Sequence, residues 1–166
     1  MRFVFDVESN GLHGQGFAVG WVVVDRGEVL SSGFLRCPIE DEVTPWVSEN
    51  VIPKLDDENC ETSLELRNKF WDVWMLAKKE GATAWADCAF PVETNFLAAC
   101  VADLPNHRQW NAPYPLHEIA TVLCCNGLDS IYRHDRLDGE TAHHPTGDAR
   151  QSARLLQQFA PEQDHD

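Results

Sequence analysis

The sequence predicts an α/β fold whose mixed central sheet begins with a three-stranded antiparallel meander and is flanked by helices. Three observations carry this reading. Residues 1–36 hold three runs rich in β-branched and aromatic side chains, separated by short turn sequences. Beyond residue 60, apolar residues at helical spacing alternate with a short apolar run at 82–86. The chain has 166 residues, 43% of them hydrophobic and 24% charged, which is enough for one substantial core and too little for two domains of ordinary size. A single domain over residues 1–160 is expected, with 161–166 as a fraying tail.

Residues 3–7 and 17–24 make the first two strands, and Asn10-Gly11 with His13-Gly14-Gln15-Gly16 supplies the turn chemistry between them. Asp25-Arg26-Gly27-Glu28 makes the next turn, and residues 29–35 the third strand. From 37 to 57 the chain is acidic and interrupted by Pro38, Pro45 and Pro53, which predicts a loop. Leu66, Phe70, Val73, Trp74 and Ala77 then mark one face of a helix over 63–80. The run at 82–86 suits a buried strand that delivers Asp87, after which Pro91 opens a helix to about Leu104. Residues 116–123 fit a strand or a short helix, because His117-Glu118 interrupts the apolar run. A polar loop over 129–145 leads to a last helix over 146–159, with Ala149, Ala153, Leu156 and Phe159 on one face.

The apolar start is too short for a secretory leader, and nowhere do about 18 apolar residues run together as a membrane span requires, so a cytoplasmic protein without a membrane partner is expected. The six cysteines include no CxxC pair, which favours reduced, mostly buried thiols over a zinc site or a disulfide framework. The net charge of −14 excludes an extended basic groove along a phosphate backbone. Two bound divalent cations would bring it to about −10 and would make their own neighbourhood attractive to phosphate, so a short contact remains open.

Four carboxylates stand where such cations would be held. Asp6 and Glu8 are two apart on the first strand and therefore share a face. Asp87 follows a strand, at the end where open α/β sheets bind ligands. Asp148 lies in the first turn of the last helix, five residues after His143. Taken singly, each has a plain structural reading: a strand end and turn for Asp6 and Glu8, a helix cap or turn for Asp87, a favourable helix-start charge for Asp148, and solvent for His143 and His144. Arg133, His134 and Arg136 offer phosphate contacts, with a solvated loop as the plainer reading.

Taken in order, Phe5-Asp6-Val7-Glu8-Ser9-Asn10-Gly11-Leu12, Asp87, and His143 with Asp148-Ala149 resemble the three motifs of the DEDDh exonucleases, on a ribonuclease H-like fold. That superfamily includes polymerase proofreading subunits, ribonuclease T and oligoribonuclease. The resemblance spans residues 3 to about 159, and the string from Trp85 to Glu93 leans toward bacterial and phage exoribonuclease-type members. Where members of the superfamily usually have an Asn four residues before the middle aspartate and an aromatic just before it, this chain has Thr83 and Ala86.

The resemblance implies a 3′-to-5′ exonuclease acting on single-stranded ends, with RNA slightly favoured over DNA. Asp6, Glu8, Asp87 and Asp148 would be catalytic metal ligands for two divalent cations, and His143 the general base. An all-oxygen set selects Mg²⁺ or Mn²⁺ over zinc. His144 is the competing base, one residue nearer Asp148. Asn10, Gly11 and Leu12 would hold the terminal nucleotide, with Leu12 against its base. Relatives are often dimers, which leaves a homodimer open, with Trp46, Trp71 and Trp110 fitting an interface as well as a core. The alternative is a non-catalytic nucleic-acid or metal-binding module on the same fold, with the altered middle motif as its sign.

Overall fold

A computed structural model of the chain describes residues 1–130, 137 and 140–162. Strands β1 (Arg2–Ser9), β2 (Gly16–Asp25) and β3 (Glu28–Arg36) form the antiparallel meander read from the sequence. Each extends past its apolar run, because ladder hydrogen bonds rather than side-chain polarity decide where a strand ends. Between β2 and β3, Arg26 has φ 49° and Gly27 φ 85°. Positive φ at both central residues matches the right-handed twist of a hairpin.

The acidic loop is more ordered than its composition suggests. Pro45 opens a short helix, α1 (Pro45–Asn50), and a single 3-10 turn follows at Ile52–Lys54. Six residues are too few to display a helical period, so the sequence did not announce this helix. Helix α2 (Ser63–Lys79) begins where the Thr62 hydroxyl accepts the Glu65 backbone N–H at 3.1 Å, while the Glu65 carboxylate accepts the Glu61 N–H at 2.7 Å. This reciprocal arrangement satisfies N–H groups that have no partner within the helix. Its apolar face sets Phe70 against Phe3 and Phe5, with ring centroids 5.8 and 5.4 Å apart.

Strand β4 (Thr83–Ala86) runs parallel to β1 and is followed by α3 (Val92–Asp103) and α4 (Pro105–Arg108). The ambiguous stretch after residue 115 proves to be both candidates in succession: β5 (Leu116–Glu118), parallel to β4, then α5 (Ile119–Cys125). Helix α6 (Pro145–Phe159) closes the fold. The mixed sheet has the order β3-β2-β1-β4-β5.

Side-chain alternation on β1 divides the interior. Phe3, Phe5 and Val7 enter the larger core with Phe70, Trp74 and Phe96. Val4 faces the other way, toward Val22, Ile119, Leu123 and Leu155 beneath α5 and α6. Asp6 and Glu8 continue that second face, so β1 aims its carboxylates at the start of α6.

One expectation needs correction. Only Cys37, Cys60 and Cys100 are buried; Cys88, Cys124 and Cys125 are exposed, since a loop and the outer side of α5 turn them to solvent. Of the three tryptophans, Trp71 is a core residue on α2, whereas Trp46 and Trp110 are exposed. In the tail, Glu162 is held by the Met1 amino group and the Arg26 backbone N–H, both at 2.6 Å, and residues 163–166 lie outside the described residues. Among the described residues no helix is long and apolar enough to cross a membrane.

Candidate functional site

Carboxylates converge at the end of β1. Asp6, Glu8 and Asp148 each offer one oxygen within 4.8 Å of the other two, and among the described residues no other such acidic, histidine or cysteine group occurs. Two backbone features bring them together. Asp6 pairs with Gly20 across the β1–β2 ladder. A Cβ on Gly20 would lie 2.1 Å from the Thr146 backbone nitrogen and 2.4 Å from the Pro145 carbonyl carbon. Only glycine admits such an approach, and it lets the first turn of α6 descend onto the sheet and bring Asp148 to Asp6.

These three carboxylates line a cavity of about 310 Å³ with Asp87 and His143. Gln151 and Ser152 of α6 complete one wall and are themselves buried. Larger cavities of about 650 Å³ lie elsewhere, one of them between α6 and the β2–β3 edge, but neither gathers these ligands. Donor chemistry rather than size singles out the smaller one.

Asp87 is part of the wall but not of the 4.8 Å cluster, so the structure brings together three of the four carboxylates expected as ligands and sets the fourth beside them. The parallel register pairs Val4 with Trp85. That pairing ends there, and Asp87 follows the last residue of β4, from where it reaches the cavity wall.

Asn10, Gly11 and Leu12, expected to hold substrate, are not part of the cavity wall. They form the turn beyond Glu8. Gly11 has φ 80°, and the Asn10 side chain donates to the Glu42 carbonyl and accepts the Thr44 N–H, both at 2.9 Å. Asn10 therefore ties this turn to the segment before α1, while Leu12 is 67% exposed.

The adjacent histidines part company. His143 lies in the left-handed region, φ 61°, a costly conformation that histidine tolerates better than most residues. Its ring lines the cavity with Nδ1 3.9 Å from Glu8 Oε1, beyond hydrogen-bond length, and meets Trp46 edge to face with centroids 5.3 Å apart. His144 turns away, stacks on Phe34 at 4.9 Å and lies 3.2 Å from Asp56. Arg133, His134 and Arg136 lie outside the described residues.

Electrostatics at the cluster are severe. Burial, reinforced by Glu93, Asp148, Glu8 and Asp87, pushes Asp6 well above the ordinary carboxylate range. Glu8 rises to about 8, through burial first and then Asp148 and Glu93, with Lys54 opposing. Divalent cations would relieve this repulsion, and the donors are hard oxygens, so the residues present fit Mg²⁺ or Mn²⁺.

Sequence patterns did not point to Glu93. It is 5% exposed in the first turn of α3, and burial drives it to about 8, opposed by the backbone amides of Glu93 itself and of Val7. Its carboxyl thus lies beside the β1 backbone between Asp6 and Glu8. A Glu near a helix start reads as an ordinary favourable end charge, and only tertiary contact shows otherwise. Gly20 was equally silent, being one glycine inside an apolar strand.

No protein-family model matches the sequence, and no curated protein matches it.

Proposed function

We propose that the chain is a metal-dependent 3′-to-5′ exonuclease of the DEDDh type on a ribonuclease H-like fold, acting on single-stranded ends with RNA ahead of DNA. One observation carries the reading: Asp6, Glu8 and Asp148 converge within 4.8 Å in a cavity that Asp87 and His143 also line. The strand order β3-β2-β1-β4-β5, antiparallel then parallel, is compatible with that fold.

Asp6, Glu8 and Asp148 would hold two divalent cations, with Asp87 closing the set from β4. When bound, such cations stabilise charge at phosphorus and support the leaving oxygen. His143 supplies the base. Its partly exposed ring stands at the cavity mouth beside Glu8, where it takes a proton from the attacking water and passes it to solvent. Gln151 and Ser152 wall the cavity, and Glu93 lies behind β1, where its buried carboxyl adds to the charge at Asp6 and Glu8.

A second reading has one observation behind it. Ala86 is buried and the Thr83 hydroxyl is engaged by Trp85 Nε1 at 2.8 Å, so neither presents the substrate-contacting group that the resemblance places there. A non-catalytic metal-binding module would look the same. Digestion of end-labelled single-stranded RNA and DNA, with Mn²⁺ and with chelator, decides between them: mononucleotides released only with metal support the exonuclease, and intact substrate under all conditions supports the module.

A further inference from the structure

Asp87 reaches the cavity wall from a segment that β1 does not hold, since the ladder between β1 and β4 stops at Trp85. Support comes from the other side. Ala86 pairs with Glu118 on β5, and the Asp87 carbonyl accepts the Ala120 N–H at 3.0 Å. Ala120 lies in the first turn of α5, where a backbone N–H has no partner within the helix, so the Asp87 carbonyl caps α5 while α5 holds Asp87. Two residues on, the Ala89 N–H donates to Glu118 Oε1 at 2.9 Å, and Glu118 Oε2 accepts the Thr121 hydroxyl at 2.7 Å. Both oxygens of one carboxylate are thus engaged, which offsets the cost of a charged residue inside the apolar run over 116–123. Ile119 and Leu123 anchor this junction in the core beneath α6.

We propose that Glu118 is the positioning residue for Asp87: its carboxylate pins the segment 87–89 to the start of α5 and so fixes where Asp87 enters the cavity wall. The inference deepens the exonuclease reading and rests on it through the metal role given to Asp87. The physical reason is geometric. Asp87 stands outside the 4.8 Å cluster, so it completes a metal site only from a backbone held in one place. A side chain just past a four-residue strand is held by whatever binds the residues that follow, and here that is Glu118. Groups that orient metal ligands in this way are worth about ten- to one-hundred-fold in metal affinity or activity.

The test compares wild type, Glu118→Ala, Glu118→Gln and Thr121→Val, each alone and combined with Asp87→Ala, by Mn²⁺ titration and by turnover on a single-stranded oligonucleotide. Glu118→Ala should weaken Mn²⁺ binding about ten- to one-hundred-fold and lower turnover with it. Glu118→Gln should recover most of both, because its amide oxygen still accepts the Ala89 N–H and its NH₂ group donates to the Thr121 hydroxyl. Thr121→Val should show a smaller loss of the same kind, and it carries the comparison if Glu118→Ala does not fold. In the Asp87→Ala background neither substitution should cost anything further in Mn²⁺ affinity, since the effect passes through Asp87. Wild-type Mn²⁺ affinity in both Glu118→Ala and Thr121→Val, or a loss undiminished in the Asp87→Ala background, overturns the proposal. So does a Glu118→Gln variant as weak as Glu118→Ala, which would assign the effect to the charge that Glu118 presents toward Glu93 rather than to its hydrogen bonds. If wild type degrades no oligonucleotide while the Mn²⁺ pattern holds, only the exonuclease reading falls. Normal turnover in wild type without that pattern removes the positioning role alone, and a wild type that binds no Mn²⁺ removes both.

Discussion

Gly20 and Thr146 approach so closely that a Cβ on the glycine would sit 2.1 Å from the Thr146 backbone nitrogen. Because Gly20 is also the ladder partner of Asp6, one missing side chain sets the distance between the carboxylates of β1 and the one on α6. The obstructing atoms are backbone and cannot swing aside, so Gly20→Ala must displace the start of α6. A loss of about 1–3 kcal/mol in stability is expected from such overpacking. A displacement near 1 Å at a reacting centre lowers turnover about a hundredfold. Thermal unfolding and Mn²⁺ titration of the variant check both; wild-type metal affinity would show that α6 does not depend on this contact.

Replacing Asp6, Glu8 or Asp148 by Ala should lower turnover by several orders of magnitude, since each removes a ligand from a cluster held within 4.8 Å. Asp87→Ala should do the same if Asp87 completes the set from the neighbouring strand. The apo proteins should be as stable as wild type or more so, because each substitution relieves repulsion among buried carboxylates. Turnover assays paired with melts in chelator read the two effects separately, and a variant with near-normal turnover takes its residue out of the site.

Stability of the metal-free protein should fall as pH rises. Glu8 and Glu93 release their protons near 4.5 when unfolded but only at about 8 in the folded protein. Across that window the folded state binds more protons, so their contribution is fully present below about 4.5 and is lost as pH rises through about 8. Asp6 is shifted in the same direction. Saturating Mg²⁺ or Mn²⁺ should reverse the trend by favouring the ionised ligands. Melting temperatures at pH 5 and pH 8.5, in chelator and in metal, test this; a chelated protein that gains stability toward pH 8.5 contradicts it. Glu93→Gln removes one of these titrating groups at nearly the same volume and should flatten part of the slope.

His143→Ala should reduce turnover about 10²- to 10⁴-fold near neutral pH while leaving metal affinity largely intact, as expected of a general base that is not a ligand. The histidine-range limb of the pH profile should vanish with it. His144→Ala, whose ring lies on Phe34 beside Asp56, should lose a little stability and little activity. The opposite pattern would transfer the base role to His144. Full activity in both variants would leave the nucleophile to another group.

Some of this protein is legible because the information is local. Runs rich in β-branched and aromatic residues expose β1 and β2, and the period-two geometry of a strand puts Asp6 and Glu8 on one face without knowledge of any neighbour. The 3.6-residue spacing of Leu66, Phe70, Trp74 and Ala77 announces α2 in the same way, because one stripe of the helix must meet a core. The short elements were not legible. Six residues in α1 and three in β5 fall below the length at which a period can be seen, and β5 is a strand only because β4 offers it a ladder.

At the site the division follows the same line. Sequence alone nominated the carboxylates and two histidines by residue type and spacing, since ligand chemistry resides in the side chain itself. The tertiary structure decided which of them meet. It turned His143 inward and His144 outward through one left-handed backbone position, and left Asp87 on the wall rather than in the cluster. It also enlisted Gly20, Glu93 and Trp46, which belong to no local pattern. Their roles are distances to residues 86, 87, 97 and 126 positions away in the chain, as with Glu93 against Val7 and Asp6, Trp46 against His143, and Gly20 against Thr146. Distances of that kind arise only when the sheet is paired and the helices are laid on it, because packing fixes separations that no stretch of sequence can encode by itself.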